Sequence, residues 1–213
     1  KPLLLQGARQ VGKTWLLKQF GANEYKNVAY FSFDEQPELK QFFEISKNPK
    51  RIINNLSIVN GRAITPENTL IIFDEIQECN EALNSLTYFK ENASEYSIIG
   101  SGSLLGVTLS KNKSFPVGQV DFLTLYPVSF REFLNKAEHK LFNYLEGISE
   151  IAIIPDIFFN HLIEKLRLYF ITGGMPEAIK SILENKNIVE LQEIQQNILD
   201  AYKLDFSKHI SVN

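Results

Sequence analysis

Residues Leu3–Phe20 read LLLQGARQVGKTWLLKQF, and this stretch decides the fold. The apolar run Leu3–Leu5 predicts a short buried strand, and the pattern of Lys13–Phe20 predicts a helix. Between them, GARQVGKT at Gly7–Thr14 fits G-x-x-x-x-G-K-[ST] without a gap. The alternative is an ordinary turn that leaves Lys13 solvated. The unbroken pattern, with a strand before it and a helix after it, favours a loop that cradles phosphate.

The physical chemistry of this loop assigns a task to each part of it. Gly7 and Gly12 permit backbone angles and close approaches that a Cβ would block. Backbone N–H groups then converge on an anion at the positive end of the helix dipole. Lys13 supplies charge to the β- and γ-phosphates, and Thr14 offers a hydroxyl to Mg²⁺. The expected nucleotide contacts are Gly7, Ala8, Arg9, Gln10, Val11, Gly12, Lys13, Thr14 and Trp15, although core packing is the stronger expectation for the Trp15 ring.

Two acids follow a second apolar run. Leu70–Phe73 predicts a buried strand, and Asp74 and Glu75 come directly after it. Parallel strands present ligand groups at their carboxyl ends, so Asp74 is expected to hold Mg²⁺ directly or through water. Glu75 is expected to polarise an attacking water. One strand, Val28–Phe33, intervenes, and a strand inserted between the loop strand and the acid strand is typical of hydrolysing, motor-type P-loop ATPases.

Composition excludes several classes of protein. The 213 residues are 44% hydrophobic and 22% charged, which is ordinary for a globular chain and excludes disorder and low complexity. One Cys excludes a disulfide framework and a multi-cysteine zinc site. The net charge of −3 provides no basic field for nucleic acid. The sequence contains no run of 18 apolar residues, so it predicts no membrane span. The chain starts at Lys1 and reads as an excerpt of a longer, cytoplasmic protein.

Strands and helices alternate as far as residue 127. Tyr96–Ile99 and Val120–Leu125 predict two more strands, and residues 36–56 predict two helices separated near Asn48-Pro49. Short apolar runs separated by helices predict a parallel sheet covered on both faces. After Pro127 the pattern is helical, beginning with a capping box at Ser129. We predict a three-layer α/β core over residues 1–127 and a helical lid over residues 128–213.

Several segments together resemble a known family. They are GARQVGKT (Gly7–Thr14), IIFDEIQ (Ile71–Gln77), IIGSGSLLG (Ile98–Gly106), PVGQVDFLTLYPVSFREF (Pro116–Phe133) and GGMPE (Gly173–Glu177). With these segments the chain resembles, over nearly its whole length, the AAA+-type, ASCE P-loop ATPase domain of a large group of bacterial and archaeal proteins. Those proteins typically carry a further C-terminal domain described as nuclease-like, which would lie beyond Asn213.

The resemblance implies further site residues. Ser101 or Ser103 would be the polar sensor that follows a strand and touches the γ-phosphate or the attacking water; a plain Gly/Ser turn is the alternative. Pro176 would contact the nucleotide base from the lid; a turn between helices is the alternative. The resemblance implies Arg or Lys where this chain has the neutral Gln119. If that position supplies charge to the transition state, the charge is missing or comes from a neighbouring subunit; a residue at the start of a strand with no chemical role is the alternative.

These observations predict an ATP- and Mg²⁺-dependent ATPase that moves an attached domain or partner, which could be nucleic acid or protein. The expected catalytic residues are Lys13, Glu75, Ser101 and Ser103, and the expected metal ligands are Thr14 and Asp74. A homo-oligomer stays open. One alternative is a slowly hydrolysing, nucleotide-gated switch of the signal-transducing (STAND) type. A small-molecule kinase is the third reading, and Glu75 argues against it because a water-activating base would waste ATP.

Overall fold

The structure is a computed structural model that describes residues 1–103, 118–151, 153–185 and 187–209, with side chains as far as residue 204. Parts of two motif segments, IIGSGSLLG and PVGQVDFLTLYPVSFREF, therefore lie outside the described residues. The chain forms two compact units. The first comprises Lys1–Ala8 and Gly12–Leu125, and the second comprises Arg9–Val11 and Tyr126–Asn213.

The first unit is built on a five-stranded sheet in which every described pair of strands is parallel. This confirms the predicted parallel α/β core. The strand order is β2-β3-β4-β1-β5. The strands are β1 (Leu3–Gly7), β2 (Asn27–Ser32), β3 (Thr69–Asp74), β4 (Ser97–Gly102) and β5 (Asp121–Leu125).

The strand inserted between β1 and β3 is not the one that precedes β3 in the sequence. Within the described residues, β2 pairs with β3 alone, whereas β4 pairs with both β1 and β3. The expectation that Val28–Phe33 fills this position is therefore wrong. Alternation of side chains predicts which face a residue occupies but not which strands become neighbours. The correction matters for the site, because it brings Ser101 on β4 between the loop strand and Asp74.

Helices cover both faces of this sheet. The predicted break near residue 48 is confirmed, because Asn48 accepts a hydrogen bond from the Lys50 N–H at 3.0 Å and Pro49 occupies the first helical position. Short 3-10 turns lie at Pro37–Leu39 and Ile76–Glu78. The helices described in this unit are α1 (Lys13–Glu24), α2 (Lys40–Ile45), α3 (Pro49–Asn60) and α4 (Asn80–Asn92).

Alternating residues of β3 divide the apolar core into two layers. All six residues of β3 are buried. Ile71 and Phe73 pack in a large cluster on one face of the sheet, and Leu70 and Ile72 pack in a smaller cluster on the other. A strand buried on both faces has no polar side to alternate with, which explains its unbroken apolar sequence. The two clusters confirm the predicted three-layer arrangement.

The described part of the second unit is helical. The predicted capping box is present: Ser129 accepts from the Glu132 N–H, and Glu132 accepts from the Ser129 N–H at 2.8 Å. No helix of the described ranges is long and apolar enough to cross a membrane. The described helices are α5 (Phe130–Ala137), α6 (His139–Glu146), α7 (Asp156–Thr172), α8 (Pro176–Glu184) and α9 (Ile188–His209).

Candidate functional site

The loop between β1 and α1 contains two residues with positive φ, of which the sequence predicts only Gly12. Gly12 has φ +97°, and Gln10 has φ +62°, a region that non-glycine residues rarely adopt. Lys13 opens α1 and is only 6% exposed. Its Nζ donates to the carbonyl oxygens of Gly7 at 3.0 Å and Ala8 at 2.9 Å. The lysine charge is thus held inside the loop, where it can meet an anion.

The Asp74 carboxylate lies at the end of β3 and gathers hydrogen bonds from four parts of the chain. Its Oδ2 accepts from the hydroxyls of Thr14 and Tyr30, both at 2.7 Å. Its Oδ1 accepts from the Ser101 hydroxyl at 2.5 Å and from the Glu75 N–H at 3.1 Å. The structure therefore brings together Thr14, Asp74 and Ser101, which the sequence singled out separately.

These donors decide the charge of Asp74. The residue is 4% exposed, and burial alone would raise the pKa of its carboxyl group. The hydrogen bonds from Ser101, Thr14, Tyr30 and the Glu75 backbone outweigh burial and hold the pKa of Asp74 below its ordinary value. The carboxylate is consequently ionised at neutral pH, as a cation ligand must be.

Tyr30 is a member of the site that sequence reasoning missed. It lies on β2, and the Nζ of Lys18 sits 3.9 Å from the centre of its ring. Burial and the hydrogen bond to Asp74 raise the pKa of the Tyr30 phenol, so it stays a proton donor. A tyrosine in a strand is ordinary for β structure, so nothing local marked it. The available signal was a hydroxyl in a largely apolar run, which also contains Ser32.

Glu75 turns the chain sharply after β3. Its φ of +48° and ψ of +46° are left-handed, and it precedes the short turn Ile76–Glu78. The Glu75 side chain is half-buried. The Gln77 Nε2 donates to Glu75 Oε2 at 2.5 Å. Gln77 belongs to the quoted IIFDEIQ segment, but sequence reasoning assigned it no role.

The two candidate sensor serines differ in their surroundings. Ser101 lies within β4, is fully buried and donates to Asp74. Ser103 follows the strand, is half-buried and is not among the described donors to Asp74. The geometry links Ser101 to the acid strand. Sensor duty for either serine stays a prediction.

Gln119 lies near the amino-terminal ends of the strands, whereas the two acids lie at the carboxyl ends. Asp121, two residues later, pairs with Leu3 at the start of β1, whereas the phosphate loop follows the end of that strand. Four residue steps of strand correspond to about 13 Å. The Gln119 Oε1 accepts instead from the Nζ of Lys90 at 2.6 Å. Within one chain, then, Gln119 is not in a position to lend or withhold charge at the phosphates.

Two further candidates behave differently from each other. The Trp15 side chain is 70% exposed, so the expectation that it packs in the core is wrong; contact with a nucleotide stays a prediction. Pro176 begins α8 in the second unit, directly after Met175, and so has the helix-starting role that its alternative reading predicts. Contact of Pro176 with a base also stays a prediction.

The oxygen atoms that could act as metal ligands at Asp74 suit a hard cation. Mg²⁺ prefers oxygen ligands and usually binds through one or two carboxylates together with substrate phosphates. The Thr14 hydroxyl and the Asp74 carboxylate are such oxygens, and they lie 2.7 Å apart. Among the described residues, no group of three or more His, Cys, Asp and Glu side chains is arranged to hold a metal. The residues present fit a magnesium ion that arrives with a phosphate ligand.

Comparison with solved structures supports the fold. A chain in the structure of Drosophila ORC bound to DNA has a TM-score of 0.50 and 18% identity, over 93% of this chain and 62% of that chain. C. elegans PCH-2 has a TM-score of 0.46 and 13% identity, over 96% and 61%. A Pyrococcus horikoshii STAND protein with a tetratricopeptide repeat sensor has 0.46 and 15%, over 86% and 27%. The chain thus spans less than two thirds of each of these chains.

Sequence comparison gives the family. A search of curated proteins found no match to the chain. A family model described as an AAA domain matches residues 1–134, which is more than half of the chain and includes the loop, the acid pair and Ser101. The chain therefore belongs to the AAA domain family and is a nucleotide-binding, ATPase-like module.

Proposed function

We propose that the chain binds ATP together with Mg²⁺ at the loop Gly7–Thr14 and hydrolyses it to ADP and phosphate. The observation that carries the proposal is the 2.7 Å hydrogen bond from Thr14 to Asp74. This bond places a hydroxyl beside an ionised carboxylate. The hydroxyl belongs to the last residue of a loop that also contains the charge of a lysine. When bound, Mg²⁺ would neutralise part of the negative charge of the phosphates.

The protein side chains divide the work as follows. Lys13 exchanges the carbonyl oxygens of Gly7 and Ala8 for phosphate oxygens, because an anion is the stronger acceptor for an ammonium group. Thr14 and Asp74 would hold the cation. Glu75 accepts a proton from the attacking water as that water bonds to the γ-phosphorus. ADP leaves with the electron pair of the broken bond.

We further propose that the nucleotide state moves an attached domain or a partner, either protein or nucleic acid. The resemblance to ATPase domains that carry a further domain supports this part of the proposal.

Binding is tested by titrating ATP with and without Mg²⁺ into the wild type and Lys13→Ala. Loss of charge-assisted hydrogen bonds to phosphate is expected to weaken binding about 10- to 100-fold. Lys26→Ala is the matched control, because Lys26 is an exposed lysine that follows α1. Equal affinity for ATP in the wild type and Lys13→Ala would refute the assignment of the site.

Hydrolysis is tested by phosphate release. Glu75→Gln is expected to lower the rate of release about 100- to 10,000-fold, to a residual rate that single-turnover experiments detect, while ATP binding persists. A nucleotide-gated switch is the second candidate, supported by the resemblance of the segment Gly173–Pro176 to a motif of signal-transducing ATPases. ATP binding without release in the wild type would support the switch. Release only after an acceptor is added would support a phosphotransferase.

A further inference from the structure

Gln77 is held against the expected catalytic base by the shape of the turn after β3. Glu75 adopts φ +48°, and the Glu78 N–H donates to the Glu75 carbonyl at 2.9 Å. This tight turn brings the side chains of residues 75 and 77 together, with Gln77 Nε2 and Glu75 Oε2 2.5 Å apart. A left-handed glutamate is strained, so the surrounding structure must maintain it.

The other amide atom of Gln77 lacks a partner. Gln77 Oε1 is buried and accepts no hydrogen bond within the described part of the chain. Exchanging the two amide atoms would place a carbonyl oxygen against the Glu75 carboxylate, so the charge of Glu75 fixes the orientation of the amide. A buried acceptor without a donor is unfavourable, and a donor that enters the site, such as water, would satisfy it.

We propose that Gln77 positions the attacking water together with Glu75, an inference that rests on the proposed hydrolysis. A water molecule has two O–H groups. Glu75 accepts one of them and takes that proton as the water oxygen bonds to the γ-phosphorus. Gln77 Oε1 accepts the other, while Gln77 Nε2 keeps the Glu75 carboxylate in place. With both hydrogens directed, the water oxygen presents a lone pair to the phosphorus.

Gln77→Met tests the inference because methionine keeps the length of the side chain and removes both hydrogen-bonding atoms. The expected result is a fall in kcat of about 10- to 100-fold, with KM and ATP affinity unchanged. Gln119→Met is the matched control. Its amide oxygen also accepts a hydrogen bond from a charged group, the Nζ of Lys90, at 2.6 Å, but near the amino-terminal ends of the strands. Hydrolysis by Gln119→Met should equal that of the wild type.

A double-mutant cycle separates positioning from a general structural effect. In a Glu75→Gln background, Gln77→Met should lower the single-turnover rate no further, because the two residues act on the same water. Gln77→Asn is measured in parallel, since it keeps the amide chemistry but withdraws both atoms by one methylene. It should also lose kcat, and it serves if the methionine variant fails to fold.

The outcomes distinguish the inference from the function on which it rests. If Glu75→Gln slows hydrolysis as expected while Gln77→Met keeps kcat within twofold of the wild type, the inference is overturned and the ATPase stands. An equal fold-loss from Gln77→Met with and without Glu75 also overturns it. If the wild type binds ATP but releases no phosphate, the proposed hydrolysis is refuted, and the inference about Gln77, which depends on it, is refuted as well.

Discussion

Replacing Ser101 with alanine should destabilise the nucleotide-free protein. Ser101 is fully buried, and its hydroxyl donates to Asp74 Oδ1 at 2.5 Å. Hydrogen bonds to charged groups contribute about 1.5–3 kcal/mol, and burial leaves no water to replace the lost donor. The free energy of unfolding at pH 7 should therefore fall by about that amount in Ser101→Ala.

The penalty should depend on pH, because the lost donor serves the ionised carboxylate. The pKa of Asp74 in the folded chain lies below its ordinary value, since the four hydrogen bonds outweigh burial. Such a group stabilises the fold above its unfolded pKa of about 3.9, and this stabilisation is lost as the pH falls through the folded value. In acid, the effect of Ser101→Ala should shrink to that of a neutral hydrogen bond, about 0.5–1.5 kcal/mol.

Urea unfolding followed by circular dichroism, at neutral pH and then at successively lower pH down through the titration of Asp74, measures both effects. Ser103→Ala is the matched control, because Ser103 is half-buried and outside the described donors to Asp74. Its effect should be small and independent of pH. A pH-independent loss in Ser101→Ala, or an equal loss in Ser103→Ala, would refute the reasoning.

Three more changes probe the rest of the chain. Tyr30→Phe keeps the ring and removes a hydrogen-bond donor to Asp74. The Mg²⁺ concentration at the midpoint of an ATP-binding titration should therefore rise about 10-fold or more; an unchanged midpoint contradicts this. Burial raises the pKa of the Cys79 thiol to about 11, so alkylation at pH 8 should run about 100-fold slower in the native chain than in urea; equal rates contradict this. Gly174→Ala places a Cβ 2.6 Å from the Val128 carbonyl oxygen and should cost about 1–3 kcal/mol in urea unfolding, whereas Gly147→Ala should cost less; the reverse order contradicts this.

The sheet was predictable because its strands are apolar runs set between polar turns, but the ends of the strands were less so. Tyr96–Ile99 predicts a strand that ends at Ile99, whereas β4 continues to Gly102. Glycine and serine are poor strand formers. Here they continue the strand because β1 pairs with them, Leu4 opposite Gly100 and Leu5 opposite Ser101. The tertiary pairing therefore decides that Ser101 lies in the sheet rather than in a turn.

The missed residues share a physical reason. The contact of Tyr30 with Asp74 depends on the pairing of β2 with β3, a contact between residues 44 positions apart. The contact of Gln77 with Glu75 depends on a left-handed glutamate, a conformation that no propensity favours. Motifs identify residues by their spacing along the chain. These two residues enter the site through strand order and turn geometry, which spacing does not encode.

The hydrogen-bond directions at Asp74 also indicate how a cation would be held. The Thr14 hydroxyl has one hydrogen and gives it to Asp74 Oδ2, so the two lone pairs of its oxygen remain available to a metal. The Asp74 carboxylate has about four lone-pair sites and already accepts four hydrogen bonds. A direct metal bond to Asp74 would have to displace one of these hydrogen-bond donors. A metal-bound water would only have to donate to a carboxylate oxygen that it shares with the existing donors. We therefore expect Thr14 to contact the cation directly and Asp74 to act through water. In that arrangement the ionised carboxylate would keep the donors that lower its pKa, and a cation would be held without rearranging the strands that build the site.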